Sequence, residues 1–167
     1  ISQAVIAALD QAMLTKRSQQ TRRPYLGASM WGDPCERKLG YIYHDAPIDD
    51  GRGFKPEILR IFDMGHDGED RTAEYLRLAG FELLTHKEDG SQFGFVAGDG
   101  KLKGHIDGVI MSGPEIPGLV YPVLWENKEL NDKSWTDTVR NGVKKSKPVY
   151  YAQTQTYMAY MELPNGA

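Results

Sequence analysis

The sequence predicts an α+β fold: a central mixed, mostly antiparallel sheet flanked by helices, in a single domain covering residues 1–167. Three observations lead there. Helical periodicity dominates the first 80 residues. Four strand candidates follow, at 81–86, 92–97, 101–111 and 119–130, each set off by turn residues. Helical spacing then returns and runs to residue 161. Helices before and after a block of strands pack as layers on a sheet, and no repeat, low-complexity tract or linker divides the chain.

Taken in order, Ile1, Val5, Ile6, Leu9 and Met13 recur at helical spacing and predict an amphipathic helix to about residue 16. A second, short helix is expected up to Tyr43, with Asp33 as its cap, Pro34 in its first turn and Glu36 completing a capping box. Residues 47–53 read as a loop. Ile58, Leu59, Phe62, Tyr75, Leu76 and Leu78 predict a helix over 56–79 that Gly80 stops. Gly65 and Gly68 interrupt it, at up to ~1 kcal/mol each, and predict a kink or a close approach. After the strands, a short helix is expected at 135–140 and a longer one at 149–161.

Composition bounds the chemistry. Of 167 residues, 40% are hydrophobic and 26% charged, as in an ordinary globular protein with a real core. The formal net charge of -3 does not mark a nucleic-acid binder, although a local basic track would suffice for one. The single cysteine, Cys35, excludes an internal disulfide framework and a cysteine-rich cluster, and is expected to be a small buried apolar residue. A reducing, cytoplasmic setting is the natural expectation. No apolar run approaches the ~20 residues of a membrane span, and the first 14 residues lack the features of a signal peptide. A start at Ile1 rather than Met leads to the expectation that the natural N-terminus is missing or removed.

The most informative feature is a pair of strands. Lys103-Gly104-His105-Ile106-Asp107-Gly108-Val109-Ile110 precedes a turn-rich connector, and Tyr121-Pro122-Val123-Leu124-Trp125-Glu126-Asn127-Lys128 follows it. Reflection about Ile116 and Pro117 sets Asp107 opposite Glu126. Period-two alternation points Glu126 and Lys128 the same way, so Asp107, Glu126 and Lys128 meet on one surface if the strands pair. Apolar neighbours make an isolated charge there expensive, so these groups either pair as a structural salt-bridge cluster or share a cation. Two carboxylates and an ammonium suit a hard divalent ion that keeps water and phosphate oxygens in its shell. Asp107 and Glu126 would hold Mg²⁺ or Mn²⁺, with the Asn127 carbonyl as a further oxygen. Lys128 would position water or stabilise negative charge on phosphate. The reading is a metal-dependent phosphodiesterase site.

These segments resemble the PD-(D/E)XK nuclease superfamily. The resemblance rests on Gly104-His105-Ile106-Asp107-Gly108, on Trp125-Glu126-Asn127-Lys128, and on Gln153-Thr154-Gln155-Thr156-Tyr157. Within the superfamily it is nearest to the RecB-like and phage, lambda-type exonuclease branches, which carry a QxxxY motif after the ExK strand. Gly65 to Tyr75 is similar to a GxxxE helix of those exonucleases, and Cys35-Glu36-Arg37-Lys38 to their N-terminal segment. The resemblance spans about residues 27–161 and implies a restriction-endonuclease-like core. It also implies catalytic Asp107, Glu126 and Lys128, a third acid at Glu69 with His66 as its rival, and Gln153 and Tyr157 reaching the site or the DNA backbone. Branches with an iron–sulfur cluster use four cysteines, so no cluster is expected. Relatives continue with further strand after the QxxxY helix, which leads to the expectation of a domain cut short near Ala167.

Lys133, Arg140, Lys144, Lys145 and Lys147 form a locally basic stretch that could follow a phosphate backbone, with Arg37 and Lys38 adding contacts. Trp31 and Trp135 are candidates for stacking on bases, against the commoner role of packing. No base-reading module is visible, so sequence-tolerant cleavage is expected. The expected partners are DNA, a further copy of the chain or a recombination or repair protein, and no membrane. The expected function is a metal-dependent DNA exonuclease of phage or bacterial recombination, repair or processing. A structure-specific or restriction-type endonuclease and a non-catalytic DNA-binding or assembly subunit are the alternatives.

Overall fold

The computed structural model describes residues 1–21 and 23–166. The α+β class is as read, with strand pairs both parallel and antiparallel. The helices are α1 (Ser2–Ser18), α2 (Glu36–Tyr43), α3 (Pro56–Leu78), α4 (Asp132–Asn141), α5 (Val143–Ser146) and α6 (Pro148–Met161). The strands are β1 (Leu26–Gly27), β2 (Glu82–Leu84), β3 (Gly94–Ala97), β4 (Leu102–His105), β5 (Gly108–Ser112), β6 (Val123–Trp125) and β7 (Asn165–Gly166). They form two hydrogen-bonded sheets, β1-β4-β3 and β2-β5-β6-β7. The division arises because the expected strand 101–111 breaks at Ile106-Asp107. The expected strand 119–130 likewise contracts to Val123–Trp125. A two-residue strand, β7, follows α6 and runs parallel to β6.

The four-stranded sheet is apolar on both faces, which explains why β5 and β6 read as continuous hydrophobic runs. Val109 and Leu124 join Ala28, Ile106 and Tyr157 on the face that α6 covers. Ile110, Val123 and Trp125 join Leu83 and Ala73 on the face that α3 covers. Gly104 lies where β4 crosses under α6. A Cβ there would stand 2.5 Å from Phe95, 2.6 Å from Tyr157 and 3.1 Å from Ala28, all inside the core. Gly104→Ala is therefore expected to cost about 1–3 kcal/mol, read as a lower denaturant midpoint.

Helix ends follow local chemistry. Pro56 opens α3 with Glu57 in its first turn and Arg77 in its last, each matching the helix dipole. Asn131 caps α4 by accepting the Ser134 N–H at 2.9 Å. The expected capping box of α2 does not form. Glu36 is the first helical residue, while Asp33 accepts the Cys35 N–H at 2.9 Å and pairs with Lys38 at 2.5 Å. Asp33 thus closes a turn before the helix, and Cys35 is exposed rather than buried. Helix α1 buries none of its residues: Val5, Ile6 and Leu9 stay exposed, and it lies on α3 through Lys16–Asp63 (2.8 Å) and Asp10–Arg60 pairs. Among the described residues no helix is long and apolar enough to cross a membrane.

Candidate active site

Strands β5 and β6 pair antiparallel with Gly108 opposite Trp125, Val109 opposite Leu124 and Ile110 opposite Val123. That register, continued one step past the ladder, sets Asp107 opposite Glu126. Both acids sit two residues from side chains of the α6 face, Val109 and Leu124, so alternation turns them toward α6. The ladder ends there, and side-chain bonds take over. The Asn127 N–H donates to Asp107 Oδ2 at 2.8 Å. The contact seen for Asn127 is thus its amide to Asp107, where the sequence suggested its carbonyl as a metal ligand.

Glu126 is the centre of the arrangement. Its side chain is 3% exposed, and its Oε1 accepts from Lys128 Nζ at 2.5 Å and from Gln153 Nε2 at 2.6 Å. Gln153 also donates to the Tyr157 hydroxyl at 3.0 Å. Gln153 and Tyr157 are four apart on α6 and both buried, so the helix presents one polar row to the acid. The second oxygen, Glu126 Oε2, is buried with no hydrogen-bond partner among the described residues. The Lys128 ammonium also lies 5.8 Å from the centre of the Tyr150 ring, a cation–π distance that the sequence reading missed. Tyr150 precedes Gln153 by one helical turn, but only the packed orientation of α6 reveals that this face meets Lys128.

The charges are mutually perturbed. Burial, partly countered by Lys128, pushes the Glu126 carboxyl up to about 7, and the neighbouring Asp107 charge adds to the rise. Asp107 is also raised, first by burial, against the lowering influence of Lys128 and the Asn127 amide. Glu69 on α3 is raised by burial and then by Asp107, which places it in the field of Asp107. His66 Nδ1 stands 3.9 Å from Glu69, but the His66 side chain is 80% exposed and that of Glu69 only 29%. Of the two rivals, Glu69 is the more enclosed. Tyr157 is held well above the ordinary tyrosine range, by burial and then by Glu126.

Gly68 shows why α3 approaches so closely. A Cβ there would stand 2.2 Å from the carboxylate of Glu129, so the glycine is the close approach that its helical position suggested. Among the described residues, no ion pair joins the basic candidates to Asp107, Glu126 or Glu69. Lys133 is exposed on α4 beside Asp137 and Arg140, in an open hollow of about 380 Å³. Lys147 donates to Ser134 Oγ at 3.3 Å, and Lys144 lies 5.4 Å from the Tyr151 ring centre. Lys145 and Arg37 are exposed, and Lys38 is held by Asp33. Trp31 packs edge-on to Phe95 and Tyr160 at the margin of the core, whereas Trp135 is exposed.

The donor set fits a hard divalent cation. It offers a buried carboxylate oxygen that no side chain engages, a second acid held opposite, and a third acid in the field of Asp107. Among the described residues no group of three or more His, Cys, Asp or Glu stands at full ligand spacing. A protein shell of one or two carboxylates, completed by water and phosphate oxygens, is the one that Mg²⁺ takes. No protein-family model, no curated protein and no solved structure matches the chain.

Proposed function

We propose that the chain is a Mg²⁺- or Mn²⁺-dependent nuclease that hydrolyses DNA phosphodiester bonds, acting as an exonuclease in phage or bacterial DNA recombination, repair or processing. One observation carries the reading: Glu126 is buried with one oxygen that no side chain engages, its other oxygen is held by Lys128 and Gln153, and Asp107 is its register partner. A closed structural salt bridge pairs both carboxylate oxygens with side chains, whereas Glu126 is buried with side-chain donors on Oε1 alone and only the Asp107 backbone amide besides. That leaves an oxygen for a cation.

Each side chain then has a role. Asp107 and Glu126 hold the ion, with Glu69 as the third acid. Gln153 fixes the plane of Glu126, Tyr157 fixes Gln153, and the Asn127 amide fixes Asp107. When bound, the ion supplies polarisation of the phosphate and a more acidic water. Lys128 orients that water and faces the negative charge that develops on the phosphate oxygens. Arg37, Lys38, Lys133, Lys144, Lys145 and Lys147 are the phosphate contacts of this reading, together with Arg140. The family resemblance favours exonuclease over endonuclease and rests on the motif order alone.

The test is cleavage of end-labelled linear DNA and of closed circular DNA, with Mg²⁺ and with chelator. Linear DNA is expected to be degraded only with the metal, and circular DNA to be spared. Asp107→Ala is expected to lose at least about a hundredfold in rate. Cleavage of circles would point to an endonuclease. DNA binding without any turnover would point to a non-catalytic subunit.

A further inference from the structure

Lys128 lies beyond the sheet that positions the acids. Strand β6 stops at Trp125, and residues 126–131 have no regular structure. The ammonium rides on a long, flexible stem with much rotamer freedom to lose. Its hydrogen bond is to Glu126 Oε1, at 2.5 Å, and that oxygen also accepts from Gln153 Nε2 at 2.6 Å. A cation on this acid would draw on the same carboxylate charge. A lysine tied at a shared point needs a second contact to stay in place, and the Tyr150 ring, its centre 5.8 Å from Nζ, supplies one.

Tyr150 stands in the first turn of α6, behind Pro148, which fixes the start of the helix. Gln153 follows one turn on and Tyr157 one turn later, so the three share a face. The helix thus meets the ion pair on both members: Gln153, backed by Tyr157, grips Glu126, and Tyr150 faces Lys128. The next residue, Tyr151, meets Lys144 instead. Core packing does not account for Tyr150. It is half-buried, yet among the described residues it joins neither apolar cluster and pairs with no other aromatic ring.

We infer that Tyr150 is a positioning residue: its ring face holds the Lys128 ammonium beside Glu126, and keeps it there when a cation shares that carboxylate. An aromatic face attracts an ammonium through its quadrupole, more strongly where water is partly excluded. It carries no charge, so it neither competes with Asp107 and Glu126 for an ion nor repels a phosphate. The role belongs to the ring face rather than the hydroxyl, so phenylalanine serves and leucine does not. The inference rests on the nuclease reading for what Lys128 does once held. That Tyr150 holds it is independent of that reading.

Two readouts test it. The first is spectroscopic and needs no metal: protein with lysine isotope-labelled at Cε, in EDTA, the Lys128 signal being assigned by its loss in Lys128→Arg. In the wild type and Tyr150→Phe the ring current is expected to move the Lys128 ε-methylene protons upfield of free lysine. In Tyr150→Leu they are expected to return to the free position. Tyr150→Gln is a second ring-free variant, for a fold that does not accept leucine there. Tyr41→Leu, at an exposed position on α2, is the control for a lost tyrosine. The second readout is single-turnover cleavage of linear DNA in Mg²⁺, beside the oligonucleotide Kd. Tyr150→Leu is expected to lose about tenfold in rate with Kd little changed. Tyr150→Phe and Tyr41→Leu are expected to match the wild type. A Lys128 signal at the free position in the wild type, a signal unmoved in both ring-free variants, or a Tyr150→Phe variant as slow as Tyr150→Leu would overturn the inference. Wild-type cleavage that both ring-free variants reproduce would keep the nuclease reading and overturn the positioning role. A signal that moves as expected in a wild-type protein that cleaves no DNA would support the hold on Lys128 and remove the nuclease reading.

Discussion

Lys128→Ala is expected to slow DNA cleavage about a hundred- to a thousandfold while DNA remains bound. The ammonium is a compact charge held between the Glu126 carboxylate at 2.5 Å and the Tyr150 ring at 5.8 Å. Its side chain is 31% exposed, so the charge is reachable from solvent yet fixed from below. An arginine is flat, more weakly hydrated and demands a planar partner, so Lys128→Arg is expected not to restore the rate. The loss belongs in the chemical step. Single-turnover cleavage at saturating enzyme should fall, while the oligonucleotide Kd changes little. Circular dichroism guards against misfolding. A variant that cleaves like the wild type would remove Lys128 from the mechanism.

The second large effect is on stability. In the metal-free protein the Glu126 carboxyl is raised from 4.5 to about 7, with burial as the main cause. A raised acid keeps its proton in the folded state while the unfolded chain releases it. Stability is thus fully present below about 4.5 and is lost as pH rises through about 7, by about 3 kcal/mol in all. Asp107 and Glu69, also raised, act in the same direction. Asp33, Asp89 and Asp137 are lowered by their hydrogen bonds, so their stabilisation is lost as pH falls, below the window of Glu126. Denaturant melts in EDTA from pH 5 to 8 are expected to show falling stability. Glu126→Gln removes the titrating group and should flatten most of that slope, while abolishing cleavage. Added Mg²⁺ favours the ionised acids and should restore stability at pH 8 more than at pH 5. Parallel pH curves for wild type and Glu126→Gln would reject the assignment of the slope to this residue.

The relation of Asp107 to Glu126 was legible because a turn-rich connector and alternation define a register by reflection, and the observed pairing of Gly108 with Trp125 agrees with it. Helix α3 was legible because Pro56, its apolar spacing and Gly80 mark both ends. The two-residue strands β1 and β7 were not, since two residues carry no alternation and only their partners Leu102 and Val123 define them. The break at Ile106-Asp107 was hidden because Ile106 before it and Val109 and Ile110 after it read as parts of one strand. The apolar spacing of α1 predicted a helix correctly, but spacing cannot say whether a partner covers that side, and Val5 and Leu9 stay exposed. At the site, the acids and Lys128 were readable from residue types. The Tyr150 contact and the Lys103–Tyr25 pair were not, because both depend on how separate elements rotate against one another.

Ile106 joins two halves of the molecule. Its amide donates to Phe93 at 3.0 Å, on the side of the three-stranded sheet, while its side chain, 0% exposed, is wedged among Val109, Leu124 and Tyr157. Lys103 and His105 ride on one sheet, and the opposed acids sit at the edge of the other. The boundary between the two sheets therefore passes through an enclosed rivet of hydrocarbon. Loosening it would leave every charged group intact and still let the two surfaces drift out of alignment.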